Sequence, residues 1–209
     1  MLRSLIRRAC VVAFFFASTI AIAQTEFSAD MVNHKQSGST VDLKLYFGKD
    51  KIRFDRVDSG AESEGAGIMN FATQTMTVLM KQQQVYIEMP VAQSPGQKDI
   101  YHFFRAGDVE NACADWQKIA SNQSGSCHKV GHETVNGRET VKYEGANSKG
   151  ESGYFWIDPK LRFPVKWQDN KGGGGELRNI QEGPQPASLF EVPAGYTKFD
   201  KGSMRQKPH

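Results

Sequence analysis

Apolar and polar residues alternate one by one along much of the chain. Phe27, Ala29 and Met31 alternate with Ser28 and Asp30, and Val41, Leu43, Leu45 and Phe47 alternate with Asp42, Lys44 and Tyr46. A period of two marks strands that bury one face. Gly48-Lys49-Asp50 then turns the chain into Ile52 and Phe54, which alternate with Arg53 and Asp55. A polar, glycine-containing loop is predicted over 58–67. Strands are predicted over 68–71, 76–80 and 85–89, with the short links of antiparallel neighbours. The pattern is a β-meander.

The pattern breaks at a loop over 90–97, and 108–120 reads as a helix. Asp108 can cap its start, Glu110 sits well in its first turn, and Val109, Ala112, Cys113, Trp116 and Ile119 recur at helical spacing. Residues 121–125 end it. Strands return over 126–132 and 139–144, joined by Asn136-Gly137, a dipeptide suited to the tightest hairpin turn. An aromatic hairpin follows. Tyr154 to Ile157 form its first strand, Asp158-Pro159-Lys160-Leu161 the turn, and Phe163, Val165 and Trp167 share a face of the return strand. Pro164 lacks an N–H, so that strand is expected to be an edge or to carry a bulge. Trp156 and Trp167 are expected to be buried. The four glycines at 172–175 read as a flexible hairpin tip, since a phosphate loop would need a following Lys-Ser/Thr. A disordered tail is expected over 201–209.

The first 23 residues do not belong to this pattern. Arg3, Arg7 and Arg8 precede an apolar run, and Ala21-Ile22-Ala23 offers small residues for cleavage, so 1–23 reads as a secretory signal peptide cut before Gln24. The apolar run is shorter than the ~20 residues of a spanning helix. Cys10 lacks a lipobox context. Of 26 basic residues in the sequence, three belong to the leader, leaving 23 against 23 acidic ones. A near-neutral mature chain gives no electrostatic case for nucleic acid or an anionic membrane as principal partner. Its length suits one domain over 24–200 with a sizeable core.

Cys113 and Cys127 remain after processing, and in an exported chain they are expected to form a disulfide. A metal site joining them to His128 and His132 is disfavoured. On a strand those histidines stand ~13 Å apart at ~3.3 Å per residue, too far to share an ion. There is no Cys-x-x-Cys for redox chemistry and no Gly-x-Ser-x-Gly nucleophile elbow. No carboxylate pair stands out, and Asp158 has a sufficient task in its turn. The expectation is a non-enzyme with no cofactor and no metal.

The strand ending Trp156-Ile157-Asp158, its turn, and Phe163-Pro164-Val165-Lys166 resemble the late hairpin of the LolA/LolB/RseB-like superfamily of bacterial envelope proteins. The resemblance continues in Glu176-Leu177-Arg178-Asn179-Ile180 and in Leu189-Phe190-Glu191-Val192-Pro193-Ala194-Gly195-Tyr196. It extends to Lys51-Ile52-Arg53-Phe54-Asp55 and Gln84-Val85-Tyr86-Ile87-Glu88. It implies a mainly β, α+β fold: one curved antiparallel sheet forming a half-open barrel, with a helix at its mouth. The carriers of that superfamily also use a helix near the N-terminus as a lid, whereas this chain enters strand pattern directly at Phe27. None of its arginines matches the carriers' lid-locking arginine.

Apolar material exceeds what one helix can cover. Met76, Val78 and Met80 share a face, as do Val85, Ile87 and Met89. Ordinary core explains such stripes. The resemblance implies instead that part of this face lines a cavity for a hydrophobic ligand, with Met31, Leu43, Leu45, Phe54, Met76, Val78, Met80, Ile87 and Met89 as its walls. The expectation is a periplasmic monomer, touching membranes only transiently, that binds a lipid or a lipoprotein acyl chain. The alternative on the same fold is an envelope sensor that binds a protein partner.

Overall fold

The computed structural model describes residues 24–35, 40–57, 65–91, 107–118 and 124–199. The expected leader and tail lie outside them. Six strands come first: β1 (Phe27–His34), β2 (Thr40–Phe47), β3 (Lys51–Arg56), β4 (Gly65–Asn70), β5 (Thr75–Met80) and β6 (Val85–Pro90). A 3-10 turn (Val109–Asn111) leads into the short helix α1 (Ala112–Trp116). Then follow β7 (Ser126–Val135), β8 (Arg138–Ala146), β9 (Ser152–Asp158), β10 (Phe163–Asp169) and β11 (Gly174–Glu182). A second 3-10 turn (Ala187–Phe190) and the two-residue β12 (Thr197–Lys198) end the described chain.

All twelve strands form one sheet, ordered β12-β6-β5-β4-β3-β2-β1-β11-β10-β9-β8-β7. Every pairing is antiparallel except β12 on β6. Two meanders, β1 to β6 and β7 to β11, are thus joined side by side through β1 and β11. The sheet is strongly curved. Phe47 on β2 and Phe163 on β10 have ring centroids 5.4 Å apart, although three strand spacings, ~14 Å in a flat sheet, separate their strands. Phe27 lies 5.5 Å from Phe47 and 5.2 Å from Phe163. Buried Leu45, Ile52, Met69, Phe71 and Leu161 surround this aromatic centre. The two ends of the sheet do not pair, so the barrel is half-open.

The aromatic hairpin forms as its residues dictate. Asp158, 2% exposed, accepts from the N–H groups of Lys160 (2.8 Å) and Leu161 (3.0 Å), and its other oxygen receives the Arg138 guanidinium. Pro164 resolves as a bulge, with the register shifting between Pro164 and Lys166, and β10 is an interior strand. The bulge breaks the expected alternation, so Phe163, Pro164 and Val165 are all buried. Trp156 is buried and Trp167 half-buried, on opposite faces: Trp156 faces Lys166 across the pair, and Trp167 faces Phe155. Asn136 and Gly137 have φ of 49° and 79°, as the tight hairpin turn requires.

Three expectations change. Residue 65 already belongs to β4, so the loop read over 58–67 is shorter than its glycines suggest. The helix read over 108–120 is a 3-10 turn followed by five α residues, with Ile119 and Ala120 outside the described part. Asp108 does cap the start, accepting from Glu110 N at 3.0 Å. The Tyr143 hydroxyl, however, donates to Val109 O (2.7 Å) and accepts from Ala112 N (3.3 Å), fixing this stretch to the sheet through its backbone. The glycine run is only half a tip. Gly172 is in the turn, while Gly174 and Gly175 are strand, where a β-carbon on Gly175 would meet the Trp167 ring at 2.5 Å.

Cys113 and Cys127 form a disulfide that ties α1 to β7. Val109 and Ala112 lie buried against Val141, Tyr143, Phe155 and Ile157 of β8 and β9. Trp116 lies over Gly145. No helix among the described residues is long and apolar enough to cross a membrane.

Candidate functional site

The register of β1 to β6 places the inner-face residues in three rows. Phe27, Phe47, Ile52, Met69, Met76 and Met89 form the row nearest the aromatic centre. Ala29, Leu45, Phe54, Gly67, Val78 and Ile87 form the middle row. Met31, Leu43, Arg56, Gly65, Met80 and Val85 form the row towards the open end. Only Arg56 interrupts an apolar surface.

Burial falls in two directions across these rows. Phe27, Ala29, Leu45, Phe47 and Ile52, on the strands nearest the molecular centre, are fully buried, and Met31 is nearly so. Leu43, Phe54, Met76, Val78, Met80, Ile87 and Met89 are only half-buried. All nine residues named from the sequence therefore share one face, but they divide. Met31 and Leu45 are core, while the other seven form a partly exposed apolar wall spread over β2, β3, β5 and β6.

The opposite face is covered in part, over β4 and β5 and the neighbouring Tyr46 and Tyr86. After β11 the chain crosses behind the sheet as a strap over 183–199. Phe190 of the strap is buried against Ala66, Ile68 and Leu79, and Leu189, Val192 and Tyr196 pack beside it with Tyr46 and Tyr86. Arg53 holds the strap, donating to Leu189 O at 2.7 Å while its Nε pairs with Asp55 at 2.7 Å. The strap ends by pairing Thr197 and Lys198 with Val85 and Tyr86, which covers the outer edge of β6. Gly48 allows the Phe190 ring to approach, since a β-carbon there would lie 2.7 Å from it.

Gly65 and Gly67 are the site residues that sequence reasoning missed. Their alternation with Ala66 and Ile68 was a usable signal, hidden by the polar run before it. At the open end, Trp167, His34, Lys166 and Gly172 to Gly175 border a separate cleft of about 280 Å3.

Asp30 is held below the usual carboxylate range by hydrogen bonds from Lys44 and Asn179. Glu182 is lowered by Lys160 and Arg138. His128 lies 3.3 Å from Glu144, and His128 and His132 face Glu144 and Val141 respectively across the β7–β8 pair. Among the described residues no three His, Cys, Asp or Glu side chains are grouped to hold a metal.

By sequence the chain matches no family model and no curated protein. By structure it aligns with an uncharacterized conserved protein from Thermus thermophilus, with TM-score 0.55 and 10% identity, over 85% of this chain and 91% of that one. It also aligns with MucB at TM-score 0.50 and 13% identity, over 83% of this chain. The chain has a LolA/LolB/RseB-like fold. It spans 59% of the MucB chain. A LolA superfamily protein from Nitrosomonas europaea aligns over 82% of this chain with TM-score 0.34 and 8% identity, too distant to add weight. At such identities the LolA/LolB/RseB-like likeness concerns the fold alone.

Proposed function

We propose that the protein is an exported, non-enzymatic binding protein of the bacterial envelope, and that its inner face takes the alkyl chain of a lipid or lipoprotein. One observation carries this reading. The strap packs against Ala66, Ile68, Leu79 and Tyr86 on the outer face of β4 to β6, while the apolar inner face of β3 to β6, beyond buried Ile52 and Met69, stays half-exposed. A surface of this kind on an isolated chain marks an interaction site. The disulfide between Cys113 and Cys127 supports an extracytoplasmic, oxidising compartment, and the leader-like first 23 residues support the periplasm. The ligand would enter a monomer, with membrane contact limited to exchange.

Mass spectrometry of lipids extracted from the natively purified protein tests the reading directly. Met80→Asn adds a test of place. With Met80 on an accessible wall, the variant should lose binding of a fluorescent fatty-acyl probe and keep its stability. As plain core, the same amide would be buried unsatisfied and destabilise the fold by ~1–3 kcal/mol. A second reading draws on MucB, which forms a complex with MucA: the chain would be a sensor module that binds an envelope protein. Co-purification of one defined protein partner without lipid would favour that reading.

A further inference from the structure

We infer that the far edge of β11 is a docking site for an extended segment of another protein, which joins the sheet there as an added strand. The inference goes beyond the alkyl-chain reading and does not depend on what the inner face binds. β11 pairs with β1 from Gly174 to Glu182, interrupted only by a bulge. With β10 it pairs only at Gly174, Gly175 and Glu176. Continuing that register would set Pro164 opposite Arg178, and there β10 bulges and has no N–H to give. From Leu177 to Glu182, ~17 Å at ~3.4 Å per residue, this edge of β11 has no strand beside it among the described residues.

The backbone groups on the open side follow from the pairing on the other. Gly183 N–H donates to Glu26 O at 2.9 Å, so it faces β1. Backbone groups alternate in direction along a strand, which turns the N–H and C=O of Glu182 and Ile180 to the open side. Leu177 O is turned there too, since it accepts from Asn136 Nδ2 at 3.1 Å. Asn136 belongs to the tip of the β7–β8 hairpin, and its amide does at Leu177 what the N–H of a neighbouring strand would do. From the same tip Arg138 donates to Glu182 Oε1 at 2.8 Å. Between these two bridges lies a cleft of about 570 Å3, lined by the tip and by Leu177 to Ile180. Its guanidinium groups are already neutralised, Arg178 by Glu176 and Arg138 by Asp158 and Glu182. A charged ligand finds no counter-charge here, whereas a row of backbone donors and acceptors is matched by another extended backbone. Leu177 and Ile180 pack towards the core while Arg178 and Asn179 are exposed. The segment that fits therefore alternates apolar with uncharged polar residues.

The test uses the disulfide-bonded mature chain and a panel of fluorescent hexapeptides that alternate valine, isoleucine or leucine with threonine or serine. In the free protein the Ile180 and Glu182 amides should exchange with solvent ~10-fold or more faster than those of Gln181 and Gly183, which face β1. A bound peptide should slow Ile180 and Glu182. The same peptide with alternate backbone nitrogens methylated keeps its side chains and should bind ~10-fold or more weakly, the scale of unmet backbone hydrogen bonds. Asn136→Gly tolerates the positive φ of the turn and removes the amide that occupies Leu177 O, so it should bind the peptide several-fold more tightly. Slow exchange of Ile180 and Glu182 in the free chain overturns the inference, because the edge would already be filled. So do equal binding of the methylated peptide, unchanged affinity in Asn136→Gly, and a panel in which no member binds. Concentration-dependent dimerisation that protects the same two amides would assign the edge to a second copy of this chain and overturn the partner named here. Each of these failures leaves the alkyl-chain reading standing, since the fatty-acyl probe reports on the inner face.

Discussion

Trp156 lies between two lysines. Lys142 and Lys166 face it directly from the strands on either side, with their ammonium groups 4.8 and 4.6 Å from the ring. The lysine stems cover the indole while their charges meet its π face. Only 2% of the residue is exposed, so Trp156→Ala should cost ~3–5 kcal/mol, read as a lowered denaturant midpoint. An unchanged midpoint would refute this packing. Its burial was legible from alternation beside a well-specified turn, but its lysine neighbours were not, because alternation does not say which strands adjoin. Glu182 permits a prediction about pH. Lys160 and Arg138 hold its folded pKa below the ordinary carboxylate value. Its stabilising contribution is therefore complete above the unfolded pKa of ~4.3 and is lost as pH falls through the lowered folded value. Glu182→Gln should flatten the acid side of the stability profile and leave its neutral-pH slope unchanged. A parallel acid limb in the two proteins would show that the pairing contributes nothing.

Among the elements, the strap is the one alternation could not announce. Leu189, Phe190, Val192 and Tyr196 follow neither a period of two nor one of 3.6, because an irregular segment packs wherever its backbone places each side chain. Arg53 is its fastening. Arg53→Met would leave Leu189 O without this donor and Asp55 without its cation. A loss of ~1–3 kcal/mol is expected, with faster hydrogen exchange at the Thr197 and Phe199 amides, which bond to Gln84 O and Tyr86 O. Exchange at wild-type rates would show that β12 holds by itself. The strands of the first meander were legible because each buries one face. The start of β4 was not, since Gly65 and Gly67 carry loop-like residues into a strand. The helix was overread for the opposite reason. Its inward stripe is real for Val109, Ala112, Cys113 and Trp116, but attachment to Tyr143 and Cys127 holds only one short helical piece in place.

For the whole molecule, curvature decides what the sequence pattern leaves open. The register brings all nine proposed wall residues to one face, where alternation grouped them only strand by strand. Alternation could not separate Met31 and Leu45, sealed near the centre of the sheet, from Met80 and Ile87 at its flank. That division follows from the strand order, above all from β1 pairing with β11. A chain ending at residue 170, before β11, should therefore lack cooperative unfolding even though it retains the first six strands; a sharp two-state transition in that fragment would contradict this. The same pairing has a consequence in time. A ribosome delivers the chain from its N-terminus, so β1 appears among the first strands and its neighbour β11 among the last. Until then one side of β1 remains open and Phe27 lacks Phe163. Assembly cannot keep pace with synthesis, and the contacts that complete it span most of the chain, which favours slow folding. The nascent protein must be kept from sticking to other chains until its final quarter arrives.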